Sequence, residues 1–194
     1  MVNRSNITVK GKPNWAVVAG FAALTSACAP TELYPPLPPR TAEQFEFATM
    51  RSSNIVPKSS PAAFEKAFNS FCLNGGSSFA SMAAKLRNAD YIAVPKKISP
   101  NQTAFVVDDA RPMIVVSDDG RFCATVAQSR TGQTARLQGF VAARFPKATD
   151  IAQNNAKYEM MKATNGNPQG LIAMYRMPSA TEGSRLAIAI HRSN

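Results

Sequence analysis

The stretch Met113-Ile114-Val115-Val116-Ser117-Asp118-Asp119-Gly120-Arg121-Phe122-Cys123-Ala124-Thr125-Val126-Ala127-Gln128 decides the fold class. Two strand-like runs, Met113–Ser117 and Arg121–Gln128, flank Asp118-Asp119-Gly120. Asp-Gly between such runs is a strong hairpin signal, so the segment reads as two antiparallel strands. Outward from it, Tyr91–Pro95 and Thr103–Val107 are strand candidates on one side. Tyr158–Ala163, Leu171–Met177 and Ser184–Arg192 are candidates on the other. In Leu186-Ala187-Ile188-Ala189-Ile190 large residues alternate with alanines. Successive strand side chains point to opposite faces, so one face of this strand is deeply buried and the other thinly covered.

Helical patterns surround the strands. Ser59-Ser60-Pro61 offers a serine cap with proline in the first turn, and Phe64, Ala67, Phe68, Phe71 and Cys72 then recur on one helical face. Glu65 lies opposite that stripe and is expected to face solvent. Asn74-Gly75-Gly76 ends the helix, and Ser77-Ser78 caps a second, from Phe79 to about Asn88. A third fits Thr134–Phe145, stopped by Pro146. Helices, then a hairpin, a helix and more antiparallel strands indicate an α+β fold. The expected architecture is an antiparallel sheet of about five strands packed against two or three helices, profilin- or PAS-like in style. No internal repeat is visible.

The N-terminal part reads as an address. Residues 1–15 carry Arg4, Lys10 and Lys12 and no acid, and Ala16–Ala27 is uncharged and mostly apolar. As a helix this run would span ~18 Å, short of a ~30 Å hydrocarbon core, so residues 1–27 read as a signal peptide. The end of the run, Leu24-Thr25-Ser26-Ala27-Cys28, resembles a bacterial lipobox. The resemblance implies acylation of Cys28 as the mature N-terminus; ordinary cleavage after Ala27 is the alternative. Thr25 stands where that pattern favours leucine. Ala29 follows the cysteine in place of the aspartate typical of inner-membrane retention, which implies the outer membrane, facing the periplasm. Without acylation the protein is soluble in the periplasm or secreted. Residues 28–60 read as a proline-rich tether, extended around Tyr34–Arg40 and with a short helix near Ala42–Met50. Residues 61–194 read as a single domain.

Once Cys28 is assigned to the signal boundary, Cys72 and Cys123 remain. An even pair in an exported domain reads as a disulfide, with two separate buried thiols as the alternative. The 194 residues include 22 Lys and Arg against 12 Asp and Glu, a net charge of +10. Removing residues 1–27 takes away three of the positive charges and leaves +7. A basic surface favours anionic envelope components, but there is no recognition motif for specific nucleic-acid binding, and Lys96-Lys97 is the only basic doublet after residue 28.

The chain contains no G-x-S-x-G elbow, P-loop, H-E-x-x-H or C-x-x-C. No catalytic residue, metal site or cofactor is expected. The pairs Asp108-Asp109 and Asp118-Asp119 read as turn residues. The single histidine, His191, and Glu159, which could point inward from a strand, are the pair on which an enzyme reading would rest.

Residues 61–145 resemble a group of small alphaproteobacterial secreted proteins and lipoproteins of unknown function. The resemblance lies in Phe68-x-x-Phe71-Cys72, an Ala-rich helix ending near Asp90-Tyr91, and Gly120-Arg121-Phe122-Cys123-x-Thr125-Val126. It implies a fold and no activity. The function expected is that of an exported, lipid-anchored binding or interaction module of the cell envelope. It would attach to the membrane through its anchor and bind an envelope protein or an anionic envelope component. A periplasmic hydrolase, or a structural subunit of a membrane-associated assembly, is the alternative.

Overall fold

The computed structural model describes residues 41–95, 98–151, 159–167, 170–177 and 183–193. In chain order these form α1 (Ala42–Thr49), α2 (Pro61–Ala67), α3 (Phe79–Arg87), β1 (Ile92–Ala93), β2 (Gln102–Val106), β3 (Met113–Ser117) and β4 (Phe122–Gln128). After them come α4 (Gln133–Arg144), β5 (Thr149–Ile151), β6 (Glu159–Asn167), β7 (Gly170–Met177) and β8 (Arg185–His191). The fold is α+β with an antiparallel sheet, as the pattern of elements implies.

β3 and β4 form the hairpin read from Asp-Gly, with Met113 opposite Val126 and Val116 opposite Cys123. Gly120 closes the turn by donating its N–H to the Ser117 carbonyl at 2.9 Å, at φ 74°. The sheet is wider than the five strands expected: its order is β1-β2-β3-β4-β8-β7-β6-β5. β8 pairs with β4 over seven residues, from Phe122↔His191 to Gln128↔Arg185. That seam joins segments some sixty residues apart, a long-range pairing that local patterning does not specify. Thr149–Ile151 has only three residues and too short a pattern to read as a strand.

α2, α3 and α4 cover one face. Ser60 caps α2, its Oγ accepting the Ala63 N–H at 3.2 Å, and Pro61 opens it. α2 then widens into a π-helical turn over Phe68–Leu73, which buries Phe68, Cys72 and Leu73 together. These residues and Met82, Leu86, Leu137 and Val141 pack against Ile114, Val116, Ile172, Met174 and Ile188 from the sheet. Phe68 and Phe140 meet edge to face at 6.2 Å. Glu65 lies off the buried stripe and stays partly exposed, where Arg136 of α4 binds it at 3.0 Å and ties the two helices together.

Residues 41–60, read from the sequence as part of a tether, are structured and lie on the domain. Thr41 and Gln44 form a reciprocal capping box at the start of α1. Phe47 and Met50 pack against a second apolar cluster that includes Ile92, Ala104 and Val106. The following segment is pinned where Lys58 donates to the Asp109 carbonyl at 2.8 Å and Gln128 donates to the Pro57 carbonyl at 3.1 Å. This strap, α1 included, covers the β1 side of the sheet face away from α2, α3 and α4.

A candidate apolar ligand groove

The period-2 alternation of β8 places Leu186, Ile188 and Ile190 on the face covered by α2, α3 and α4 and the smaller Ala187 and Ala189 on the other. Phe122, Ala124 and Val126 of β4 share that face with Arg185, Ala187, Ala189 and His191 of β8. The register aligns Ala124, Ala189 and Ala173 in one row across three strands. Val126, Ala187 and Tyr175 form the next. Alanine reaches only one carbon above the sheet, so these rows sink between larger neighbours. Met113 and Val115 of β3 wall one side, and Tyr175 and Met177 of β7 wall the other. Phe122 and His191 close one end, with their rings 4.9 Å apart, and Arg185 stands at the other. The result is a predominantly apolar cavity of about 360 Å3. Its size and lining match those of small-molecule sites, which are concave and mostly apolar with a few placed polar groups.

The environment also tunes the polar members. Burial pushes the His191 imidazole below its ordinary pKa and so favours the neutral form. Burial raises the Tyr175 phenol for the same reason, which keeps it a neutral hydroxyl. The described lining offers an imidazole, a phenol, an amide and a guanidinium, but no serine, cysteine or carboxylate. Such a set can bind and orient a ligand. A second cavity, of about 440 Å3, lies under the strap and shares Ile98, Met113 and Arg185 with the groove.

The residues singled out from the sequence fall elsewhere, apart from His191. Cys72 and Cys123 form a disulfide with Cα atoms 5.3 Å apart, which staples the π-helical turn to β4. Asp108 is a loop-capping residue: its Oδ1 accepts the N–H groups of Ala110 and Arg111, and its Oδ2 accepts from the Arg111 guanidinium at 2.6 Å. Burial opposes its ionisation, but these bonds outweigh burial and hold the carboxyl below the usual carboxylate pKa. Asp119 organises the hairpin turn by accepting from the Ser117 hydroxyl and the Arg121 N–H. Glu159 pairs with Arg176, whereas His191 pairs with Leu171, five residues further along β7. At ~3.4 Å per residue the two backbones lie ~17 Å apart along the strand, so Glu159 and His191 do not form one site. Among the described residues no three His, Cys, Asp or Glu side chains cluster as metal ligands, and no helix is long and apolar enough to cross a membrane. Cys28 and the Lys96-Lys97 doublet lie outside the described residues.

Sequence reasoning did not identify the groove. Its trace was present in the spacings Phe122-x-Ala124-x-Val126 and Arg185-x-Ala187-x-Ala189-x-His191. Only the register of β4 against β8 superimposes the two alanine sets. No protein-family model, curated protein or solved structure matches the chain.

Proposed function

We propose that this chain is an exported, lipid-anchored protein of the cell envelope whose domain binds an apolar molecule. The observation that carries the binding reading is the alanine-floored groove on the sheet face opposite α2, α3 and α4. The envelope reading draws on the signal-like residues 1–27, the lipobox-like end at Cys28 and the Cys72–Cys123 disulfide. A disulfide fits an oxidising, extracytoplasmic compartment. In this reading acyl chains on Cys28 hold the protein at a membrane, each buried methylene contributing ~0.8 kcal/mol, and the proline-rich segment spaces the domain from it.

Two measurements test the two halves separately. Replacing Cys28→Ser should leave a folded chain that no longer floats with membranes. An unmodified mature N-terminus in the intact mass of the unmutated protein would sink the anchor. For the groove, a solvatochromic apolar dye should bind the Cys28→Ser chain saturably, and Ala124→Phe should abolish binding by filling the floor. Equal dye binding by a folded Ala124→Phe chain would remove the groove as the binding site.

A further inference from the structure

We infer that residues 41–56 form a hinged cover over a second compartment of the groove, and that lifting it joins the two cavities into one site for an apolar molecule too long for the groove alone. This rests on the reading of the domain as a binder of apolar molecules and adds how far the site extends. The floor is continuous. The row Ala173, Ala189 and Ala124 runs on through Val115 to Ala104 of β2, each residue opposite the next in register. Neighbouring strands lie ~4.8 Å apart, so the row crosses ~19 Å of sheet. Val115, Ala124 and Ala189 lie in the groove of about 360 Å3. Ala104 lies in the cavity of about 440 Å3 that Ser52, Ser53, Ile55 and Val56 of the strap help enclose. Ile98 and Met113 line both cavities, so the two meet at these side chains.

The cover is held unequally along its length. From Val56 onward the chain is fixed: Val56 and Ser59 are buried, and the backbone bonds of Pro57 to Gln128 and of Lys58 to Asp109 pin the segment between them. Before Val56 the hold is light. α1 and the turn at 52–54 bury no residue. Phe47 and Met50 are only partly buried where they pack on the sheet, and Arg87 binds Glu43 at 2.8 Å in a solvent-accessible pair. Such exposed pairs contribute little. The other hydrogen bonds described for residues 41–55 close within the segment, the Thr41–Gln44 capping box among them, and travel with it. The segment therefore lifts as a folded unit about Val56 and loses few contacts, which places its opening below global unfolding in free energy. An apolar molecule that fills the uncovered cavity binds the lifted state alone and draws the population toward it.

The test compares the Cys28→Ser chain with the same chain carrying Phe47→Ser and Met50→Ser, two positions that hold the cover and line neither cavity. Monomeric n-alkanols of increasing length displace the apolar dye, while amide hydrogen exchange reports on α1 and on the β4–β8 seam. In the parent, affinity should rise with length and level off once the groove is filled. In the variant α1 should exchange faster with the seam unchanged, which also shows that the variant folds. Alkanols beyond the parent's levelling-off length should bind the variant about tenfold tighter, because more of it already holds the binding-competent state. Shorter alkanols should bind both equally. Glu43→Arg, which sets a like charge against Arg87, should move both readouts the same way by less, and adding Arg87→Glu should reverse the change. Should the seam of the double variant open, this charge pair decides alone. Faster α1 exchange with no gain for long alkanols would overturn the inference and leave the groove reading standing, as would α1 exchange that neither change alters. A dye that binds saturably but that no alkanol displaces would overturn it as well. If the dye does not bind at all, both readings fall.

Discussion

Cys72 and Cys123 are both fully buried, and each lies in a different layer: one on the π-helical turn, the other on β4 beside the central seam of the sheet. The bond closes a loop of 51 residues, which in the chain-entropy model is worth ~4 kcal/mol through restriction of the unfolded chain. Replacing both cysteines with alanine should therefore lower unfolding stability by about 2–4 kcal/mol, read as a reduced urea midpoint with native circular dichroism retained. A double variant as stable as the parent would show that the bond is incidental. His191 gives a second prediction at this scale. Its folded pKa lies below 6.5 because burial disfavours the imidazolium. Between the two values the unfolded chain binds more protons than the native one, so stability falls as the pH drops from about 6.5 through the folded pKa. The contribution is fully present above the unfolded value. His191→Gln should remove this part of the pH dependence, so the melting-temperature difference between about pH 5 and about pH 7.5 should be smaller than in the parent.

The β3–β4 hairpin shows how far local signals reach. Gly120 sits at φ 74°, where glycine is tolerated and most side chains are strained. An added Cβ would also lie 2.6 Å from the Ser77 carbonyl oxygen and 2.8 Å from the Ser78 Cα, because the turn docks on the start of α3. Gly120→Ala should therefore cost more than the ~1 kcal/mol expected from backbone conformation alone. Gly120→Asn, which eases the backbone cost in a free turn, should be no better here. A stable Asn variant in a urea titration would show that the close approach is unimportant. This hairpin was legible because its turn residues and both strands are neighbours in sequence. The α2, α3 and α4 stripes were legible for the same reason, since Phe64, Phe68, Met82, Leu86, Leu137 and Val141 recur at helical spacing. The strap was not legible. Phe47, Met50 and Val56 are too sparse to set a period, and their burial depends on a sheet face built later in the chain. The groove was half legible: Ala187 and Ala189 announced a thinly covered face, but what lies opposite them is decided by pairing with β4 and β7.

The sheet order reads the same from both edges inward: β1–β4 form one four-stranded meander, β5–β8 form another, and each is preceded by helix. Their last strands, β4 and β8, lie antiparallel at the centre, with Thr125 opposite Ile188 at the midpoint of the seam and both fully buried. The two faces of this sheet are stabilised unequally. The helical face carries large side chains and the disulfide, whereas α1, over the other face, has no fully buried residue and leaves Phe45 62% exposed. Local opening follows such differences, because a segment with few buried contacts detaches at a lower free energy than the global unfolding transition. Among the described helices and strands, native-state hydrogen exchange should accordingly be fastest in α1. It should be slowest at hydrogen-bonded amides of β4 and β8, where opening requires breaking the seam. Ligand filling the groove should slow exchange in β3, β4, β7 and β8 and leave α1 unchanged, since the groove walls come from the strands and not from that helix. If α1 instead exchanged as slowly as the seam, the strap would be part of the cooperative core, and the face under α1 would then open only on global unfolding.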